Sequence, residues 1–449
     1  MRFLGIGDYH SLGDMYWHLA ASGHDVRVCV REAEAHEIYR GLVERVDDWQ
    51  RELDWIAAAG REGIIIIETA SLGETADDLR TRGFHVVGGS AWTDRIERDR
   101  AFGQQVMRDA GLQTAPTHAF DDYASALAFL RRNPARYVFK FSDGESPSTS
   151  NYVGETDDGS DIAAMIERER ATRDPEAAVN FVLMEHVAGV EVGIGAYFNG
   201  RAFLEPACID WEHKRFFPGD IGELTGEMGT VVSYRGSRRL FDLTLARIAP
   251  GLRAAGFHGY INVNTIVNAD GVWPLEFTSR FGYPGFAICA ALHTEGWDRI
   301  LFRMAHGIDE PIGTRDGFAV GVVITVPPFP YEYGYPELSK GAPIRFRTAP
   351  DADERAHFHY GEVAMSDAGL IASGSLGYLM VVTGTGSDIE AAQDAAYRRV
   401  RNVVVRNMRY RNDIGERLKR SDLATLRALG YLDHAVRHAG VLDTPSSDR

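Results

Sequence analysis

The first hundred residues alternate short, continuously apolar runs with helical patterns, and this alternation restricts the fold more than any other feature. "RFLGIG", "DVRVCV", "GIIIIET" and "FHVVGG" read as strands. "SLGDMYWHLAASG", closed by Gly23, and "SLGETADDLRTRG" read as helices between them. Strands that are apolar throughout need cover on both faces, which parallel sheets obtain from their crossover helices. The pattern predicts an α/β unit built on a parallel sheet.

At 449 residues the chain is longer than one core usually serves, so two to four domains are expected. A charged helix is predicted from Asp94 to Gly111, and another over "AFDDYASALAFLRRNP". "YVFKFSDGESPSTSNYVGE" reads as a strand and then a loop of small residues. The stretch from Ala177 to Ile209 reads as strands turning at Ala188–Gly189 and Asn199–Gly200. "GYINVNTIVNADGVWPLEFTSRFG" reads as two strands joined at Ala269–Gly271. Near Asp316, "GFAVGVVITVPPFPYEYG" opens a new strand set, and "SDIEAAQDAAYRRVRNVVVRN" is an amphipathic helix.

The 48 basic against 64 acidic residues leave a net charge of −16. That balance argues against broad nucleic-acid or anionic-membrane binding and leaves room for a small basic phosphate pocket. Cys29, Cys208 and Cys289 are far apart and form no zinc spacing. The N-terminus does not read as a signal peptide, and "GIIIIETA" is too short to span a bilayer. A cytoplasmic, soluble protein is expected, monomer or homodimer, without nucleic-acid or membrane partners.

Several stretches have residues suited to chemistry. Gly5 and Gly7 end a strand, where backbone amides can face a phosphate, although His10 stands where a dinucleotide fingerprint needs a third glycine. A tight turn with no ligand is the equal alternative. Lys140 follows apolar residues at a strand position, either near an anion or with its head in water. Glu185 and Glu191 flank a turn, where carboxylates could take an amine or ribose hydroxyls, or be two surface acids of a hairpin. Asn264 and Glu276 fall on the two strands of a hairpin, and a lone carboxylate there suits Mg²⁺. Arg280 follows, suited to phosphate, or to a structural ion pair with Glu276. "DWEHKRFFPGDIGELTGEMGTVV", from Asp210 to Val232, is too polar for a core strand and too glycine-rich for a stable helix.

Together these motifs resemble the ATP-grasp enzymes, and within them the glycinamide ribonucleotide synthetase (phosphoribosylamine–glycine ligase) family. "EHKR" followed by "DIGELTGEMG" is similar to that family's acid-His-Lys-Arg run and its Asn-Thr-Gly-Gly-Met-Gly loop. "PLEFTSRFGYP" resembles its metal strand. The C-terminal stretches resemble its last domain, including the closing Tyr410, Arg411, Asp413, Ile414 and Gly415. The resemblance implies a Rossmann-like N-terminal domain (1–97), a split ATP-grasp core (98–311, nucleotide-binding subdomain about 118–192), a small α/β C-terminal domain (312–435) and a frayed tail (436–449).

It also implies a mechanism with ATP and Mg²⁺ or Mn²⁺ as cofactors. A carboxylate attacks the γ-phosphate to give an acyl phosphate, which an amine converts to an amide, so the partners are small-molecule carboxylate and amine substrates. Such chemistry rests on positioning and charge neutralisation. By resemblance, Arg100 and Lys140 hold phosphate oxygens, with Glu185, Val187 and Glu191 on the nucleoside. Glu276, Asn264 and Thr278 bind the metal. Lys214, Arg215 and Arg280 are catalytic. His213, Thr225, Gly226, Glu227, Met228 and Gly229 bind substrate, the glycines letting backbone amides approach closely.

The departures fall on both nucleotide and substrate contacts. Thr278 stands where the family has Asn, and Arg100 where it has its first phosphate lysine. The phosphate-covering loop has no lysine and carries Pro147. Glu227 replaces a glycine, Tyr283 and Gly285 replace an acidic pair, and Tyr9 and His10 replace a Gly-Arg run. Glu227 is expected to bring a negative charge into the substrate loop. The expectation is an amide-forming ligase with altered substrates; the alternatives are the purine-pathway ligase itself and a degenerate, non-catalytic nucleotide-binding protein.

Overall fold

The computed structural model describes residues 1–142, 150–172 and 179–432. The centre of the small-residue loop, with Pro147, and the tail 436–449 lie outside the described residues.

Strands β1 (Arg2–Gly7), β2 (Asp25–Val30), β3 (Glu44–Arg45), β4 (Gly63–Ile67) and β5 (His85–Val87) form one parallel sheet in the order β3-β2-β1-β4-β5. Strand β4, flanked on both edges by β1 and β5, shows why the run is apolar throughout. Ile64 and Ile66 enter one core and Ile65 and Ile67 another, on opposite faces. A Cβ on Gly5 would lie 2.4 Å from the Tyr16 ring, and one on Gly7 2.6 Å from the Glu68 carboxyl. Both glycines make room for side chains, so the tight-packing reading replaces the phosphate one.

The helix predicted from Asp94 to Gly111 is two helices, Ala91–Arg98 and Arg100–Asp109. Asp99 leaves helical geometry between them, and its side chain accepts from the Phe102 N–H at 3.0 Å. An acid that caps the next turn is favoured over one that continues the last.

Strands β6 (Thr117–Phe120), β7 (Tyr137–Phe141), β8 (Tyr152–Val153) and β9 (Phe181–Glu185) make a separate antiparallel sheet, β6-β9-β7-β8. Leu127, Leu130, Phe139, Ile162 and Phe181 form its own core with helices Tyr123–Arg132 and Ser160–Thr172.

The rest is organised by one eight-stranded sheet. It contains β10 (Val190–Asn199) and β11 (Phe203–Glu212), followed in sequence by a small hairpin outside the sheet, β12 (Arg215–Phe217) and β13 (Ile221–Leu224). β14 (Gly229–Ser233), β15 (His258–Asn268), β16 (Gly271–Thr278) and β17 (Phe318–Thr325) complete its main part. The order is β16-β15-β10-β11-β14-β17, then Tyr378–Gly386 and Phe358–Tyr360. The strand set expected to begin anew near Asp316 therefore continues this sheet, with β17 paired to β14. Glu185 and Glu191 lie in different sheets, which rules out the hairpin alternative.

Period-two alternation fixes what the large sheet shows on each face. Val192, Ile194, Ile209, Trp211, Ile261, Val263 and Phe277 enter the largest core. The intervening positions on the same strands are Glu191, Asp210, Glu212, Asn262, Asn264, Glu276 and Thr278, which line a cleft. The polar residues that looked isolated in sequence share one surface.

Candidate active site

The cleft has a volume of about 650 Å³. Lys140 and Glu185 of the smaller sheet, and Val187 just beyond it, also line the cleft. Its floor is set by register: Asn264 lies opposite Glu276, and Asn262 opposite Thr278. Gly193 pairs with both Asp210 and Asn264. A Cβ there would stand 2.1 Å from Asp210 Oδ1, so this position must stay small for the acid to fit.

Cations and carboxylates interlock around Glu276. Arg100 Nη1 donates to Glu276 Oε2 at 2.6 Å and Lys140 Nζ to the same oxygen at 3.2 Å. Lys214 Nζ lies 2.8 Å from Glu191, 3.1 Å from Glu212 and 3.9 Å from Glu276. Asn264 Nδ2 donates to Glu212 Oε2 at 3.1 Å. The Lys140 ammonium, with Arg100 and Lys214, holds the Glu276 carboxyl well below the ordinary carboxylate range, against burial. Burial pulls Lys214 down, yet its carboxylates more than reverse this and hold it well above the lysine range. Burial also pulls Lys140 down, with Glu276 opposing. Lys140 is thus paired, not snorkelling to water. Arg280 lines the cleft but pairs with Glu97 at 3.1 Å, so the Glu276–Arg280 ion pair is replaced by Arg100–Glu276 and Arg280–Glu97.

The stretch from Asp210 to Val232 is not a flexible loop. Asp210, Trp211 and Glu212 end β11, the hairpin follows, and β14 resumes at Gly229. Arg411, only 1% exposed, fastens it: Nη1 donates to the Arg215 carbonyl at 3.0 Å and to Asp220 at 2.7 Å, while Asp413 holds the other side of the guanidinium. Asp413 also accepts from the Gly219 N–H at 2.8 Å. His213 Nε2 accepts from the Gly415 N–H at 3.0 Å, and burial pushes this imidazole down to about 4, leaving it neutral. The two family-like motifs thus form one bonded unit.

Of the residues expected to bind substrate, Thr225, Gly226 and Glu227 line the cleft, as does Arg215. His213, Met228 and Gly229 do not. His213 is bound to Gly415, and Met228 packs against Phe216 and Phe329. A Cβ on Gly229 would meet the Gly321 carbonyl at 2.5 Å. Their residue types serve packing, so they are corrected to supporting positions.

Glu227 is 5% exposed, and burial, with Glu212 and Asp210 nearby, pushes its carboxyl well above the carboxylate range. Asp210, also 5% exposed, is pushed up by burial and by Glu212. The fixed negative charge expected at Glu227 is therefore a buried acid whose protonation follows its surroundings. Sequence reasoning missed Asp210 and Glu212 as individual site residues. The signal was the alternation Ile209, Trp211 against Asp210, Glu212, which reads as a strand end with one polar face.

Similarity to known proteins agrees with this geometry. The family described as "Phosphoribosylglycinamide synthetase, ATP-grasp (A) domain" matches residues 98–286, and its "C domain" matches 319–417. Phosphoribosylamine–glycine ligase of Streptomyces coelicolor is 30% identical over 378 residues, covering 80% of this chain and 85% of the relative. The crystal structure of phosphoribosylamine–glycine ligase from Thermotoga maritima superposes with a TM-score of 0.71 at 21% identity, covering 92% of this chain and 100% of that one. The biotin carboxylase domain of Hydrogenobacter thermophilus 2-oxoglutarate carboxylase, solved with MgADP and bicarbonate, has the same fold at 12% identity, TM-score 0.64, covering 96% and 99%.

Proposed function

Because the chain belongs to the phosphoribosylamine–glycine ligase family of ATP-grasp enzymes, we propose that it is an ATP-dependent carboxylate–amine ligase whose substrates differ from glycine and phosphoribosylamine. The observation that carries the chemistry is the interlocked cluster of Arg100, Lys140 and Lys214 with Glu191, Glu212 and Glu276. Phosphoryl transfer needs neutralised, positioned oxygens rather than a nucleophilic side chain. This cluster offers three cations, each already paired and able to exchange a carboxylate for a phosphate oxygen.

Arg100 and Lys140 take phosphate oxygens. Glu185 and Val187, at the end of the smaller sheet, take the adenine edge, and Glu191 takes ribose hydroxyls on release from Lys214. Glu276, Glu212, Asn264 and Thr278 can offer oxygen ligands from the cleft-facing surface of the large sheet, a set that fits Mg²⁺ or Mn²⁺. The ion, when bound, neutralises phosphate charge. A substrate carboxylate oxygen attacks the γ-phosphorus, and the bond to ADP breaks. Lys214, Arg215 and Arg280 face the charge that develops, while Thr225 and Gly226 border the acyl group. The amine then attacks the acyl carbon and phosphate leaves.

Support for altered substrates is local. Glu227 fills a position that carries no side chain in the family pattern, and Tyr283 replaces an acid at the cleft wall. Both change the shape and polarity met by an acceptor. The test is ADP release over a panel of amino acids and amines, beside complementation of a bacterial strain lacking the purine ligase. Growth without added purine, with glycine-dependent ADP release at an ordinary enzymatic rate, would make the protein the purine enzyme. No ADP release with any pair would support a binding role without catalysis.

A further inference from the structure

Beyond Glu212 the cleft changes character. Asp210 is two residues along the same face of β11, a step of about 7 Å. Glu227 lines the same cleft, near enough that Asp210 helps raise its carboxyl. Asp210 Oδ2 accepts from Asn262 Nδ2 at 2.7 Å, but Asp210 Oδ1 and Glu227 Oε1 have no hydrogen-bond partner among the described residues. Tyr283 Oη and Thr230 Oγ1, lining the same cleft, also have none. The cation closest in the sequence of contacts is Lys214, already committed to Glu191 and Glu212. Burying polar atoms unpaired is unfavourable, and such a group in a native fold indicates a missing partner.

We propose that Asp210 and Glu227 form the receptor for the ammonium form of the amine substrate, and that Glu227 takes the proton the amine must lose before attack. This rests on the ligase reading above. An ammonium offers three N–H donors and no acceptor. The pocket offers the orphaned oxygens of Asp210 and Glu227, with Tyr283 and Thr230 as further acceptors. An uncharged ligand could satisfy the hydrogen bonds but would leave two acids facing each other without a counter-charge.

The proton balance is simple. R–NH₃⁺ and a carboxylate give R–NH₂ and a carboxylic acid. The freed lone pair attacks the acyl carbon and the N–C bond forms. The bond to phosphate breaks with its electron pair on the phosphate oxygen, which takes the second nitrogen proton. The Glu227 carboxyl, raised by burial, is a better base than an exposed one, as general-base work at neutral pH needs. The titratable groups around the pair are Glu212 and Lys214 for both acids, Cys208, Tyr260 and Cys289 for Asp210, and Tyr283 and Tyr378 for Glu227.

The test compares n-butylamine with n-butanol, alike in size and different in charge, as thermal-shift ligands. Butylamine should raise the melting temperature of the full chain and butanol should not. Asp210→Asn and Glu227→Gln should each abolish that difference while keeping affinity for an ATP analogue, and either variant alone suffices. Equal responses to both ligands, or an undiminished response in both variants, would overturn the receptor. In parallel, hydroxylamine, neutral at pH 7, reports acyl phosphate as hydroxamate across a carboxylate panel. With the best carboxylate, KM for butylamine should rise roughly 10- to 100-fold in the variants, as for a lost hydrogen bond to a charged group. The loss with hydroxylamine, which needs no proton removed before attack, should be smaller. Absence of hydroxamate from every carboxylate would sink the ligase reading, while the thermal shifts still decide the receptor.

Discussion

Around Glu276, three cations reach one carboxylate from a helix, from the smaller sheet and from just past the end of β11. Around Asp210 and Glu227, two equally buried acids have no hydrogen-bonded cation among the described residues. Both groups lie on the same cleft-facing surface. Strand position brought Glu276 and Asp210 to the cleft, the turn before β14 brought Glu227, and the company each acid keeps there decides its charge. A paired carboxylate is ionised and ready to trade partners with phosphate or metal. An unpaired one is held towards neutrality until a cation arrives.

The largest test of this contrast is Glu276→Gln, which keeps shape and removes charge. ADP release should fall by at least about 10²-fold, the scale seen when a charge-stabilising group is removed from an active site. Wild-type turnover would show that the paired end is structural and not chemical. Lys140→Met comes next. Affinity for an ATP analogue, read by calorimetric titration, should fall roughly 10- to 100-fold, the worth of one hydrogen bond to a charged group. An unchanged affinity would remove Lys140 from the nucleotide site.

The contrast also has a sign, visible in stability against pH. The Glu276 carboxyl is lowered below its ordinary 4.5, so its contribution is present above pH 4.5 and is lost as pH falls below it. The Glu227 carboxyl is raised above 4.5, so its contribution is complete below pH 4.5 and is lost as pH climbs toward the raised value. Melting temperatures from pH 3 to 8 should therefore show Glu276→Gln less stable than wild type by a nearly constant gap from pH 8 to 4.5, closing only below that. Glu227→Gln should be the more stable protein at pH 8, and its gap should close in the same direction. Two gaps of the same sign at pH 8 would break the comparison. The smallest effect is expected from Thr278→Asn, which gives the metal set an amide oxygen. The Mg²⁺ concentration for half-maximal ADP release should drop by about tenfold or less, the low end for a change around a metal ligand.

Much of this architecture was legible because it rests on periodicity. Four consecutive isoleucines could only be a strand covered twice, and the Asn264–Glu276 hairpin was fixed by its alternation around Ala269–Gly271. The site was legible where a motif carried it, as with Lys140, Glu191 and Glu276. It was not legible where partners come from distant elements. Nothing in "RIERDR" announces that Glu97 will hold Arg280, or that Arg100 will reach Glu276 across 176 positions. His213, Met228 and Gly229 misled for the opposite reason. They sit inside a substrate-like motif, but the strand start at Gly229 turns them toward packing, which only the register with β17 reveals.

The Arg411 clamp also dates the enzyme's competence within its own synthesis. The hairpin that borders the cleft hangs from a guanidinium 196 residues further along the chain. At about 5–20 residues per second, a ribosome needs roughly 10–40 s to travel that interval. From Arg280 onward, the cations and carboxylates of the floor exist while the segment beside them lacks its anchor. The cleft border is therefore secured only once Arg411 has been made, well after the floor residues it adjoins.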